Sequence, residues 1–120
     1  MNPAKKRRFS PRAAWEREIV KRLNSVLGPG EAYRSPRKGP PPEPDIEAPF
    51  FWIDTDLGMD ASLEATLERA DRECDLDRPK LAICQKPGKR PMVAMFLDDF
   101  LELLEAWIDV NYPESKEDQS

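Results

Sequence analysis

Three carboxylates stand close together in the middle of the chain. Asp45 follows a proline, Asp54 comes nine residues later, and Asp56 lies two beyond that. Between them runs Phe50-Phe51-Trp52-Ile53, the most apolar stretch of the first half. A short aromatic and β-branched run bounded by proline reads as a buried strand. Strand side chains alternate between faces, so Asp54 and Asp56 are expected on one face with Trp52 and Phe50 behind them. A turn that returned Asp45 to the end of that strand would gather three acids at one point. Carboxylates packed that closely repel, and at least one pKa rises, unless a hard cation or a base sits among them. Histidine is absent, which excludes imidazole acid–base chemistry, His-based triads and His–Cys zinc sites. Cys74 and Cys84 lack metal-ligand spacing and read as reduced, packed thiols. Hydrolysis by this chain would rest on carboxylates, lysine, hydroxyls or a bound metal.

The elements that must position these groups are legible in order. Ser10-Pro11 offers a hydroxyl N-cap and a proline at the first helical position. The helix runs to about Leu27, with Trp15, Ile19, Leu23 and Val26 on one face, and Gly28-Pro29-Gly30 ends it. A weak strand is expected near Tyr33. The triple proline at 40–42 then excludes regular strand. After the acidic strand, Asp60 or Ser62 caps a helix to about Cys74, with Leu63, Leu67, Ala70 and Cys74 inward and Glu68 and Arg69 among the solvated residues. Leu81–Gln85 and Met92–Phe96 read as a strand hairpin turning at Pro87–Pro91. A last helix, capped by Asp98 or Asp99, carries Phe100, Leu103, Leu104, Trp107 and Ile108 at the spacing of a helix laid on a core, and Asn111 and Pro113 stop it.

At 120 residues the chain suits one domain with one core. The reading divides it into a basic, disordered arm at 1–9, a folded domain at 10–112 and a disordered, charged tail at 113–120. No apolar run reaches membrane-spanning length and no signal-peptide core follows the basic start, so an intracellular, cytoplasmic protein is expected. Charge is uneven. Residues 1–38 hold eleven Lys or Arg against three Glu, a balance of +8; the rest holds eight basic against twenty acidic residues, −12, giving −4 in all. A basic arm on an acidic body suggests a polyanion partner. Lys5, Lys6, Arg7 and Arg8 suit phosphate contact without sequence readout, and Arg34, Arg37 and Lys38, beside Tyr33, suit a nucleic-acid strand. A solvated tail and a plain surface loop are the alternatives.

Pro44-Asp45, followed by a strand ending in Asp54-Thr55-Asp56, resembles the PD-(D/E)xK signature of the restriction-endonuclease-like superfamily, in particular its small phage and bacterial Holliday-junction-resolvase-type nucleases. The pattern includes the Trp15-Glu16 helix upstream, the Leu63–Ala70 helix after the motif and the closing Pro91–Leu104 segment, and covers residues 11–108 in order. One position departs: the family has Glu-x-Lys where this chain has Asp54-Thr55-Asp56. Asp for Glu keeps a metal ligand, whereas Asp for Lys removes the cation that steadies the nucleophile. The resemblance implies an α/β domain with a mixed central sheet flanked by helices. It implies a metal-dependent DNA endonuclease of resolvase type, with Asp45, Asp54, Asp56 and Lys86 as the catalytic set. Asp45, Asp54 and Glu16 would hold Mg²⁺ or Mn²⁺. Lys86 would stand in for the missing lysine from another element, and Glu68 would point at the site. DNA as partner, a homodimer and a phage origin are implied in the same way. Two other readings stay open. One is a pseudonuclease of the same fold that binds nucleic acid or protein without cleavage. The other is a small structural or regulatory protein whose acids are surface charge, with Glu16 paired to basic neighbours and Lys86 an ordinary turn lysine.

Overall fold

The computed structural model describes residues 10–36, 40–74 and 77–113. The expected arm at 1–9, Arg37 and Lys38, and all but the first residue of the expected tail lie outside them.

Helix α1 spans Pro11–Leu27. Ser10 caps it, its Oγ accepting from the Ala13 N–H at 3.1 Å, and Pro11 opens the first turn. It ends at Gly28, whose φ of +116° suits glycine and whose N–H donates to Asn24 O at 2.9 Å. The Asn24 amide then braces the returning chain, donating to Ala32 O at 2.9 Å and accepting from Ala32 N–H at 2.8 Å. This polar brace corrects one expectation. Val26 is 86% exposed, because Asn24 rather than an apolar contact anchors the last turn of the helix.

Five strands form one mixed sheet in chain order: β1 Tyr33–Arg34, β2 Ile46–Glu47, β3 Trp52–Leu57, β4 Lys80–Gln85 and β5 Met92–Ala94. The first three make an antiparallel meander. Helix α2, Leu63–Glu73, carries the chain across so that β4 pairs parallel with β3, and β5 returns antiparallel as a hairpin. Of the two proposed caps Ser62 is the one used, its Oγ accepting from Ala65 N–H at 3.1 Å. The domain is therefore α/β, with the acidic strand β3 inside the sheet between β2 and β4.

The sheet's central faces are both covered. On one, Ile19 of α1 packs with Ile53, Ile46, Ile83 and Ala32, with Trp15, Leu23 and Phe51 around them. On the other, α2 buries Thr66, Leu67 and Ala70, and Thr66 Oγ1 lies 3.5 Å from Cys84 Sγ. Phe50 does not join this core. Its φ is +72°, a turn conformation that cannot extend a ladder, and it is 77% exposed; β3 begins at Trp52, whose N–H donates to Pro79 O.

Helix α3, Leu97–Asn111, departs most from expectation. The apolar spacing predicted a helix laid on the core, yet none of its residues is buried. Helices α1 and α2 cover the central strands, and the residues of α3 stay off that core. A hydrogen bond from Lys80 N–H to Asp99 Oδ2, 3.1 Å, ties its first turn to β4. Among the described residues no helix is long and apolar enough to cross a membrane.

Candidate functional site

Sheet register brings the acids together. Ile46 pairs with Ile53, and one step past that rung Asp45 faces Asp54. Asp45 N–H donates to Asp54 Oδ1 at 3.2 Å, and Thr55 N–H donates to Asp45 Oδ2 at 2.8 Å. Ser35, at the end of β1, holds the approach to Asp45: its N–H donates to Asp45 O and its hydroxyl donates to Pro44 O. Both carboxylates are buried, their side chains 2% and 1% exposed.

Because β3 alternates faces, Thr55 points to α1 and Asp54 to α2. On the α1 side the Thr55 hydroxyl donates to Glu16 Oε2 at 2.6 Å, and Arg34 Nε donates to Glu16 Oε1 at 2.9 Å. Arg12 reaches over the strand end: its Nη2 donates to Thr55 O at 2.6 Å and to Asp45 Oδ2 at 3.3 Å, while Nη1 lies 3.8 Å from Asp56 Oδ1. On the α2 side Arg69 forks across both acids. Its Nε donates to Asp54 Oδ2 at 3.2 Å and its Nη2 to Asp45 Oδ2 at 2.9 Å.

The centre thus joins four carboxylates, Glu16, Asp45, Asp54 and Asp56, to three guanidiniums, Arg12, Arg34 and Arg69. Burial by itself pushes Glu16 up, but the Thr55 hydroxyl, the Arg34 hydrogen bond and the charges of Arg12 and Arg34 together hold it below its ordinary 4.5. A planar guanidinium matches paired carboxylate oxygens, which is why arginine can occupy a position between two acids. The hard cation implied by the family pattern needs several oxygen ligands with free lone pairs. Here Asp45 Oδ2 already accepts from Thr55 N–H, Arg12 and Arg69, and Asp54 accepts through both oxygens. Among the described residues no group of three His, Cys, Asp or Glu is set to hold a metal ion. With Arg69 in place the donor set does not fit a divalent cation.

The structure brings Asp45, Asp54 and Glu16 together, and Asp56 joins at the rim, its side chain 34% exposed. Asp45, Asp54 and Asp56 do not face one another bare, because arginines stand between them. Glu68 is exposed; the residue of α2 that points at the acids is its neighbour Arg69. Lys86, just past β4, is exposed and pairs with no acid among the described residues. Arg34 is exposed, and its guanidinium pairs with the buried Glu16. Arg37, Lys38, Lys5, Lys6, Arg7 and Arg8 lie outside the described residues. Sequence reasoning missed Arg12 and Arg69. Arg12 carried a signal, standing four residues before Glu16 on one helix face; Arg69 carried none, because the apolar spacing of α2 put it among the solvated residues.

A second feature opens near the C-terminal ends of β3 and β4. A cavity of about 900 Å³ is lined by Arg22, Ser62, Cys84, Lys86, Lys89 and Arg90, among others. None of its four cationic side chains is in an ion pair among the described residues, in contrast to Arg12, Arg34 and Arg69. Burial pushes the Cys84 thiol up, and the nearby Asp56 charge adds to this against a partial offset from the Thr66 hydrogen bond. Neither Cys74 nor Cys84 is in a disulfide.

Compared with protein-family models, curated proteins and solved structures, the chain matches none.

Proposed function

We propose that this chain is a PD-(D/E)xK-like domain that binds nucleic acid without cleaving it. The observation that carries this reading is Arg69, whose guanidinium bridges Asp45 and Asp54, the two acids that would otherwise share a metal. Asp56 works in the same direction, since it puts a negative charge where the family pattern has lysine. The protein's own cations do the electrostatic work a divalent ion would do, so the buried acids become a structural joint between α1, β3 and α2.

The basic cavity supports the binding half of the reading. Arg22, Lys86, Lys89 and Arg90 are grouped at one end of the sheet, and phosphate is the ligand that such a group of point charges and forks would neutralise. Anisotropy titration of labelled DNA across a salt series tests it. Each phosphate neutralised contributes about −0.9 to the slope of log affinity against log salt, so these four side chains contribute about −3.6 at most. Lys86→Glu with Lys89→Glu is expected to weaken binding at least tenfold and to flatten that slope. An unchanged titration would remove the cavity from the binding surface, and no binding by the parent protein would remove the function.

A metal-dependent DNA endonuclease of resolvase type is the second reading, favoured by the adjacency of Asp45 and Asp54 with Glu16 nearby. It requires Arg69 to leave the acids. Cleavage by the unaltered protein with Mg²⁺ or Mn²⁺ would choose it.

A further inference from the structure

Helix α3 is a 15-residue element rich in leucine and aromatics that buries nothing. Leu97, Phe100, Leu101, Leu103, Leu104, Trp107 and Val110 are each between 37% and 79% exposed. An isolated helix of that length is marginal in water, because its nucleation cost is not offset by propagation alone. Something outside the described fold must cover it.

We infer that the cover is a second copy of this chain, with the α3 helices of two protomers packed face to face about a two-fold axis. The first argument is area. The exposed apolar side chains of α3 amount to roughly 800 Å², about what each partner contributes to a standard stable interface and above the largest patch of an ordinary monomer. Met92 and Val93 on the edge strand β5 are also exposed, at 58% and 59%, and adjoin α3 in the chain. The second argument is charge. Helix α3 holds five acids and no Lys or Arg. Asp98, Glu102, Glu105 and Asp109 recur at i, i+4, i+7 and i+11 and form one stripe. At 100° per residue that stripe lies opposite the centre of the apolar face, near Phe100, Leu104 and Trp107. Two such faces meet with their acidic stripes turned outward, so one patch complements itself as a two-fold requires. A DNA duplex or an anionic membrane surface, by contrast, is repelled by the same acids. The inference stands apart from the nucleic-acid reading, and neither fails with the other.

Sedimentation of the full chain over a concentration range of about 1–100 μM tests it, together with hydrogen exchange of the α3 amides. The expected mass is twice the 13.8 kDa of one chain, with α3 amides protected in step with dimer formation. Leu104→Glu combined with Trp107→Glu is expected to weaken association at least 100-fold, since each removes a buried anchor. Glu102→Lys, on the opposite stripe, should leave the dimer in place. A single-chain mass over the whole range overturns the proposal, including the case in which α3 instead captures a different protein. So does a dimer that survives the double substitution, or one whose α3 amides exchange freely. The exchange measurement uses the unaltered protein, so it decides the matter even if the double variant does not fold.

Discussion

Replacing Arg69 by methionine would remove the charge that Asp45 and Asp54 share while keeping a side chain of similar reach. Both acids are almost wholly enclosed, 2% and 1% exposed, so their uncompensated charges could not be rescued by water. Breaking a buried pair by deleting one partner costs about 3–5 kcal/mol. Two features lower that figure here: Arg69 is itself 34% exposed, and Arg12 still donates to Asp45. A loss of about 2–3 kcal/mol remains, which for a domain of this size lowers Tm by about 10–20 °C. Urea and thermal denaturation of Arg69→Met measure it. Asp54→Asn in the same chain should return part of the loss, because removing both halves of a pair leaves less buried charge than removing one. The variant should also acquire a response the parent lacks. With the guanidinium gone, Mn²⁺ can enter between the two carboxylates and stabilise by binding the folded state, by about 2.7 kcal/mol at a hundredfold excess over Kd. A loss below about 0.5 kcal/mol, or an equal Mn²⁺ response in the parent protein, would refute the reasoning that Arg69 occupies the place of a metal.

Three further outcomes are expected. Glu16 titrates below its ordinary 4.5 in the folded state, so the unfolded chain binds the extra proton and stability falls as pH drops through that lowered value. Glu16→Gln should therefore be less stable than the parent at neutral pH, with the gap closing in acid; a gap that widens in acid would contradict the assignment. Deleting Met1 to Phe9 removes Lys5, Lys6, Arg7 and Arg8, and should weaken DNA binding and reduce its salt slope by up to about 3.6 if all four meet phosphate; an unchanged slope would mean that they do not. Asp56→Lys puts the lysine of the resembling PD-(D/E)xK pattern near the end of β3 but leaves Arg69 on Asp45 and Asp54, so the variant is expected not to cut DNA with Mg²⁺; cleavage by this single variant would show that the arginine is no barrier.

The local order of the chain was readable from residues because it depends on neighbours. Ser10-Pro11, Gly28 and Ser62 set helix ends through local hydrogen bonds and dihedral preference, and of the Phe50–Ile53 run, Trp52 and Ile53 open the central strand. Asp45 and Asp54 were recognisable as partners once a turn was granted between them. What escaped was long-range. Arg69 lies 24 residues from Asp45, and Arg12 lies 43 from Thr55. Nothing in the spacing of an arginine on a helix says which carboxylate its fork will meet, so a site made of acids and arginines was read as acids alone. The last helix failed differently. The period of Phe100, Leu104, Trp107 and Ile108 correctly gave a helix with an apolar face, but periodicity fixes only the face and not what covers it. Phe50 was misplaced because hydrophobicity was weighed without the turn that precedes β3.

The claim that Arg69 closes the acidic centre while the domain still holds nucleic acid is tested most directly by one incubation. Purified parent protein is mixed with labelled duplex, single-stranded and four-way-junction DNA in Mg²⁺ or Mn²⁺, and both complex and products are scored over time. The account predicts salt-sensitive complexes and intact DNA at every time point. Products that accumulate with metal and vanish on chelation would contradict it.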